Sequence, residues 1–206
     1  EGVGRDRIFL VGNVMIDTLD YLLEDIKAKK TLERMGLPEK GYAVATIHRP
    51  SNVDNKEALL KVLDILKEVT EGVRVVFPVH PRTRKSVEEM GLLRDFGTIE
   101  NLETIEPLGY IDFMNLVMNS RYVLTDSGGI QEETTWLGIP CITLREETER
   151  PVTVEEGTNR ITGLDMAKIR EGIEWAMGFD SEGYRPPTLW DGKAAERIVK
   201  KIEEII

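Results

Sequence analysis

Tyr122-Val-Leu-Thr-Asp-Ser-Gly-Gly-Ile-Gln-Glu-Glu133 decides how this chain is read. An apolar run ends in Asp126 and Ser127, two glycines follow, and a helix-compatible segment opens at Ile130. A buried strand feeding a helix through a Gly-Gly corner brings unpaired backbone N–H groups and the positive helix end to one spot. Such a spot suits a phosphate or diphosphate.

Around that corner, short apolar runs rich in β-branched residues alternate with helical patterns. This is the signature of an α/β protein built on a parallel sheet. The patterns predict strands over 7–11, 42–47, 73–79, 122–125 and 140–144, with shorter ones near 102–106 and 158–161. They predict helices over 14–29, 56–70, 83–89, 111–119, 130–137, 166–177 and 193–206. In 56–70 the residues Leu59, Leu60, Val62, Leu63, Ile65, Leu66 and Val69 form a broad apolar face, with Asp54 expected as the N-cap. The last helix follows a Pro-rich connector and is expected to pack away from the main body.

Ligands of open parallel sheets bind beyond the carboxyl ends of the strands, so the residues after each strand are a functional test. His48-Arg49-Pro50 follow one strand, His80-Pro81-Arg82 another, and Arg145, with Arg150 shortly beyond, a third. Both histidines of the chain fall at the edge that carries Asp126-Ser127-Gly128-Gly129. Each element alone has a duller reading. A His after a strand is often a structural hydrogen-bonder, and a Gly-Gly corner is often only a tight turn. The Arg145–Arg150 charges read equally as a solvated ion-pair cluster, and Phe113, at helical spacing with Leu116 and Val117, reads as core. Taken together on one edge, they favour an anion site. Glu132 and Glu133 stand in the first helical turn, where one of them could bind a ribose diol; periodicity does not say which points inward.

Composition sets the limits. With 206 residues, 41% hydrophobic and 31% charged, the chain is long enough for one large domain with a substantial core. A net charge of −10 argues against a nucleic-acid partner. No apolar run approaches the ~20 residues of a membrane helix, so no membrane partner is expected. A single cysteine and two histidines make a disulfide or a zinc site unexpected, and Cys141, in an apolar strand, reads as an inert core residue. A reducing, cytoplasmic setting and no cofactor are expected. The chain opens on Glu1 without Met, and is expected to be a piece of something longer. There is no Walker motif, no GxGxxG and no Ser-His-Asp order, which argues against a P-loop ATP site or the usual NAD site.

The string Thr125-Asp-Ser-Gly-Gly-Ile-Gln-Glu-Glu133 resembles the hallmark of the non-hydrolysing UDP-N-acetylglucosamine 2-epimerases. So do Gly12-Asn-Val-Met-Ile-Asp17, Thr46-Ile-His-Arg49, Pro78-Val-His-Pro81 and Thr148-Glu-Arg-Pro151, in the expected order across nearly the whole chain. The resemblance implies one half of a GT-B architecture, two Rossmann-like domains facing a cleft. Residues 1–190 would be the C-terminal, UDP-binding domain, and 191–206 a helix that packs toward the N-terminal domain. It implies the interconversion of UDP-GlcNAc and UDP-ManNAc by elimination and re-addition of UDP, and a homodimer for the full-length protein. By position, Ser127, Gly128 and Gly129 would bind the diphosphate and Glu133 the ribose. Phe113 would pack on the uracil, and the backbone near Leu108 would read its edge. His48, the catalytic candidate, and Arg150 would contact the diphosphate. Arg49 and His80 would belong to an allosteric site of bacterial relatives. The chain departs from the family pattern at Ser51, where an acid is expected, and at Leu108, a place often filled by Gln.

The family's proton-moving carboxylates lie in the N-terminal domain, so this chain alone is expected to be inactive. Other readings are the donor domain of a GT-B glycosyltransferase, a 2-epimerase for a UDP-diacetamido-uronic acid, and a non-catalytic nucleotide-sugar sensor.

Overall fold

Period-two alternation sends neighbouring strand side chains to opposite faces, and this chain buries both. Tyr42 and Val44 join one apolar cluster while Ala43 and Ala45 join another. A computed structural model describes residues 2–206. Strands β1 (Tyr42–Thr46), β2 (Arg74–Pro78), β3 (Leu102–Ile105), β4 (Val123–Thr125), β5 (Cys141–Thr143) and β6 (Asn159–Ile161) form one sheet in the order β3-β2-β1-β4-β5-β6. Every neighbouring pair is parallel. This is the doubly wound Rossmann order, in which the winding direction reverses between β1 and β4.

The helices are α1 (Val14–Tyr21), α2 (Leu23–Lys27), α3 (Thr31–Met35), α4 (Pro50–Val53), α5 (Lys56–Gly72) and α6 (Pro81–Glu89). They continue as α7 (Leu93–Gly97), α8 (Tyr110–Met118), α9 (Gly128–Leu137), α10 (Val152–Glu155), α11 (Met166–Gly178) and α12 (Ala194–Ile205). Leu59, Leu63 and Leu66 of α5, Val87 of α6, Phe96 of α7 and Ile169 of α11 cover one face of the sheet. Leu19 of α1, Ile26 of α2, Met114 of α8 and Ile130 of α9 cover the other. Among the described residues no helix is long and apolar enough to cross a membrane.

Three local expectations are corrected. The 7–11 segment is not a strand. Arg5–Arg7 make a 3-10 turn, and Ile8 and Leu10 are 61% and 82% exposed. Its backbone finds no sheet edge. Instead Arg197 of α12 donates to the Val11 carbonyl (3.3 Å), and Lys201 stands over the Phe9 ring. The 14–29 helix is two helices that meet at Leu22, which ends α1 and starts α2. The N-cap of α5 is Asn55, whose side chain accepts from the Ala58 N–H at 2.8 Å. Asp54 closes α4 in an α-helical conformation and is engaged by the Arg82 guanidinium through two hydrogen bonds. A cap must be extended, and Asn55 is.

Helix α12 is fastened at its start. The Asp17 carboxylate accepts from the N–H groups of Ala194 (3.0 Å) and Ala195 (2.6 Å). Beyond that point Val199, Ile202 and Ile205 lie at least half exposed.

Replacing Asn55→Ala is expected to lower the unfolding free energy by about 1 kcal/mol, read by urea denaturation. Asp54→Ala, which removes only an exposed ion pair, is expected to have the smaller effect.

Candidate functional site

Because all six strands run the same way, the residues that follow them gather along one edge. At the switch point between β1 and β4 sits Asp126, fully buried. Its carboxylate accepts from the His48 N–H (3.0 Å), the Arg49 N–H (2.8 Å) and Asn52 Nδ2 (3.0 Å). His48 Nδ1 lies 3.3 Å from Asp126 Oδ1. That contact favours a proton on Nδ1 and leaves Nε2 free. The His80 ring stands 5.1 Å from that of His48, centroid to centroid. Burial pushes the His48 pKa below its usual range; Asp126 opposes the shift, and His80, Arg49 and Arg82 add to it. The imidazole is therefore neutral at pH 7. His80 is also a structural cap, its Nδ1 accepting from the Arg82 N–H that opens α6. Among the described residues the Arg49 guanidinium makes no ion pair or hydrogen bond, so it is free for a ligand.

The Gly-Gly corner is the start of α9. Ser127 is its N-cap, yet no side chain caps the first turn, which leaves the leading N–H groups available to an anion. Gly128 lies close against the end of the Arg150 side chain. A Cβ there would lie 2.9 Å from Arg150 Nη1 and 3.0 Å from its Cζ. A Cβ on Gly129 would meet Met15 Cε at 3.1 Å. The Arg150 guanidinium thus stands over the helix start. Glu132 accepts from its Nε (3.0 Å) and Glu149 from its Nη1 (3.2 Å), while among the described residues Nη2 has no partner. Glu149 is also engaged by Arg145, which holds its carboxyl down at about 2. The charge cluster read from the sequence is therefore real, and Arg150 is the member turned toward the turn.

The two adjacent glutamates divide. Glu132 accepts from Arg150 and from Asn13 Nδ2 (2.8 Å). Glu133 is 5% exposed and accepts from the Tyr110 hydroxyl (2.8 Å). Leu108 precedes α8 and Phe113 lies on it; both are partly buried against the α1–α8–α9 side of the core. Sequence reasoning gave no role to Tyr110, Asn13 or Asn52, whose partners lie 23, 119 and 74 residues away. For Asn13 its place in the Gly12–Asp17 string was the available signal. On the same edge, a hollow of about 430 Å³ is lined by Ser51, Asn52, Arg145 and Gly163. Among the described residues no cluster of His, Cys, Asp or Glu could hold a metal ion. Cys141 is buried, and burial lifts its thiol to about 11, far from a nucleophile's range.

Burial raises the Glu133 carboxyl from 4.5 to about 7; the Tyr110 hydrogen bond opposes this and the Glu132 charge adds to it. A folded-state value above the unfolded one means that Glu133 favours the folded chain most below about pH 4.5. The contribution is then lost as pH rises toward 7. A carboxyl NMR titration is expected to place the Glu133 midpoint near neutrality. Tyr110→Phe is expected to move it higher, and Glu133→Gln to flatten this part of the stability–pH curve.

A profile of the UDP-N-acetylglucosamine 2-epimerase family matches residues 1–203. The UDP-N-acetylglucosamine 2-epimerase of Methanocaldococcus jannaschii is 36% identical over 208 residues, covering 97% of this chain and 56% of the relative. A crystal structure of the M. jannaschii enzyme in complex with UDP-GlcNAc and UDP superposes with a TM-score of 0.88 at 35% identity, over 98% of this chain and 56% of that one. The chain thus spans about half the length of the relatives it matches. A more distant likeness, to E. coli ADP-heptose LPS heptosyltransferase II (TM-score 0.54, 13% identity, 75% of this chain), concerns the fold alone and joins the chain to the GT-B architecture. By the extent of the profile match and the agreement of its motifs, the chain belongs to the UDP-N-acetylglucosamine 2-epimerase family.

Proposed function

We propose that this chain is the nucleotide-binding half of a two-domain, non-hydrolysing UDP-N-acetylglucosamine 2-epimerase. The observation that supports this most is the guanidinium of Arg150 held over Gly128, beside an uncapped helix start. A diphosphate seated there meets helix-terminal N–H donors and a pre-oriented cation. Such donors favour UDP as a leaving group, because charge grows on its β-phosphate as the bond to sugar C1 breaks. Ser127, Gly128, Gly129 and Arg150 take the diphosphate in this reading. Glu133 accepts from the ribose hydroxyls, Phe113 packs on the uracil, and the backbone near Leu108 reads the base edge. His48 faces the diphosphate with Nε2. A tautomer protonated at Nδ1, beside Asp126, donates from Nε2 only as the imidazolium.

Moving a proton on and off carbon calls for positioned acids and bases. Asp126 is fully buried, Glu132 is paired to Arg150, and Glu133 is bonded to Tyr110. The proton-moving groups are therefore assigned to the other half of the enzyme. The exposed apolar ridge of α12, with the exposed Ile8, Phe9 and Leu10 of the entering segment, is the surface this reading gives to that other half.

Calorimetry is expected to give measurable UDP affinity and no epimerase turnover for this chain alone. Conversion of UDP-GlcNAc by the purified chain would overturn the assignment of the acids. With the full-length protein in deuterium oxide, exchange at sugar C2 is the expected outcome, and a glycosyltransferase would show none.

Since His48 is neutral in the empty site, UDP is expected to bind with uptake of a proton near pH 6.5. Calorimetry in buffers of different ionisation enthalpy measures it, and the uptake should be smaller in His48→Gln by up to one proton.

A further inference from the structure

Gln131 is fully buried one turn into α9, and is the only glutamine in the chain. Its Nε2 donates to the Ser127 carbonyl (3.3 Å), in the turn that precedes Gly128. Its Oε1 accepts from the Thr148 hydroxyl (2.6 Å) and from Asn159 Nδ2 (3.1 Å). Thr148 Oγ1 accepts in turn from the Arg150 N–H (3.0 Å). The Arg150 carbonyl accepts from the Thr153 hydroxyl (2.7 Å), whose oxygen accepts from Asn159 Nδ2 (3.0 Å). The bonds close a ring through Gln131, Thr148, Arg150, Thr153 and Asn159. The Thr143 hydroxyl steadies it by donating to Asn159 Oδ1 (2.6 Å).

We infer that Thr148 is a positioning residue that, through Gln131, sets the backbone of Arg150 at a fixed distance from the Ser127-Gly128 turn. The guanidinium has little freedom to compensate for an error. Glu132 and Glu149 hold its Nε and Nη1, and it lies close over Gly128. A shift of the Thr148–Arg150 loop therefore changes where the cation meets an anion at the helix start. Tyr110, Glu133 and Phe113, which share no hydrogen bond with that ring, stay in place. Satisfied buried polar rings are stiff and specify one arrangement. Here the stiffness is spent on the span between a helix terminus and a cation. The role rests on the diphosphate reading above, and pyrophosphate and uridine separate the two.

Thr148→Val keeps the side-chain shape and removes both hydroxyl bonds. Thr148→Ser retains them, and Thr148→Ala is a second hydroxyl-free variant that cannot overpack. Titrations of wild type and variants with UDP, pyrophosphate and uridine test the role. Thr148→Val is expected to weaken UDP and pyrophosphate about tenfold, the loss of roughly one well-placed hydrogen bond. Uridine affinity should be unchanged, and Thr148→Ser should bind like wild type. In an Arg150→Ala background, Thr148→Val should add nothing. Equal UDP affinity in wild type and Thr148→Val overturns the inference. So does a parallel loss for uridine, or a loss that persists without Arg150. If wild type binds pyrophosphate but not uridine, the nucleotide reading fails while the pyrophosphate comparison still decides the role of Thr148. If it binds neither, both fall.

Discussion

One buried carboxylate organises the ligand edge. Asp126 sits out of water with no Lys or Arg paired to it among the described residues, an arrangement that is costly unless donors replace the lost solvent. The donors come from the loop after β1 and from α4: two backbone N–H groups, those of His48 and Arg49, and the amide of Asn52. Asn52 also donates to the Leu144 carbonyl at the end of β5 (3.0 Å). The ends of β1, β4 and β5 are thus tied to a single group at the place where the winding of the sheet reverses. Removing the carboxylate would leave those N–H groups without their acceptor. The position of His48 and the exit direction of the Ser127–Gly128 turn both follow from this knot.

From that constraint the candidate anion site follows by close packing. A parallel sheet delivers its strand ends to one edge, but edges of this kind often remain polar loops. What makes this edge a candidate cradle is that Gly128 admits a guanidinium to van der Waals contact with the helix start. Any side chain there would displace Arg150. Arg150 also keeps its Nη2 donors without a partner among the described residues, although Glu132 and Glu149 offset its charge. In a chain whose net charge is −10, local placement of this kind is what attracts an anion.

Much of this was legible in the sequence, for physical reasons. Strands buried on both faces read as unbroken apolar runs, which marked β1, β2, β4 and β5 and the residues that follow them. The 7–11 run misled because an apolar segment looks the same whether it pairs in a sheet or lies on a helix. The cap of α5 moved by one residue because Arg82, 28 positions away, captures Asp54. Glu132 and Glu133 were inseparable because neighbours in a first turn differ only by a rotation about the axis, which Arg150 and Tyr110 resolve in three dimensions. Helices α4, α7 and α10, with four or five residues each, are too short to show a period.

The segment that enters the fold and the helix that leaves it lie together, through Arg197 on the Val11 carbonyl and Lys201 over Phe9. Between them they carry the exposed apolar side chains that a second domain would cover. This surface is not insulated from the ligand edge. Asn13, in the same entering segment, caps α1 through the Met15 N–H and donates to Glu132 Oε1. Glu132 in turn holds Arg150 through Oε2. A shift of the 8–13 segment as a partner domain docks would therefore pull on the carboxylate that orients the cation. Two hydrogen bonds separate the proposed domain contact from the proposed diphosphate contact.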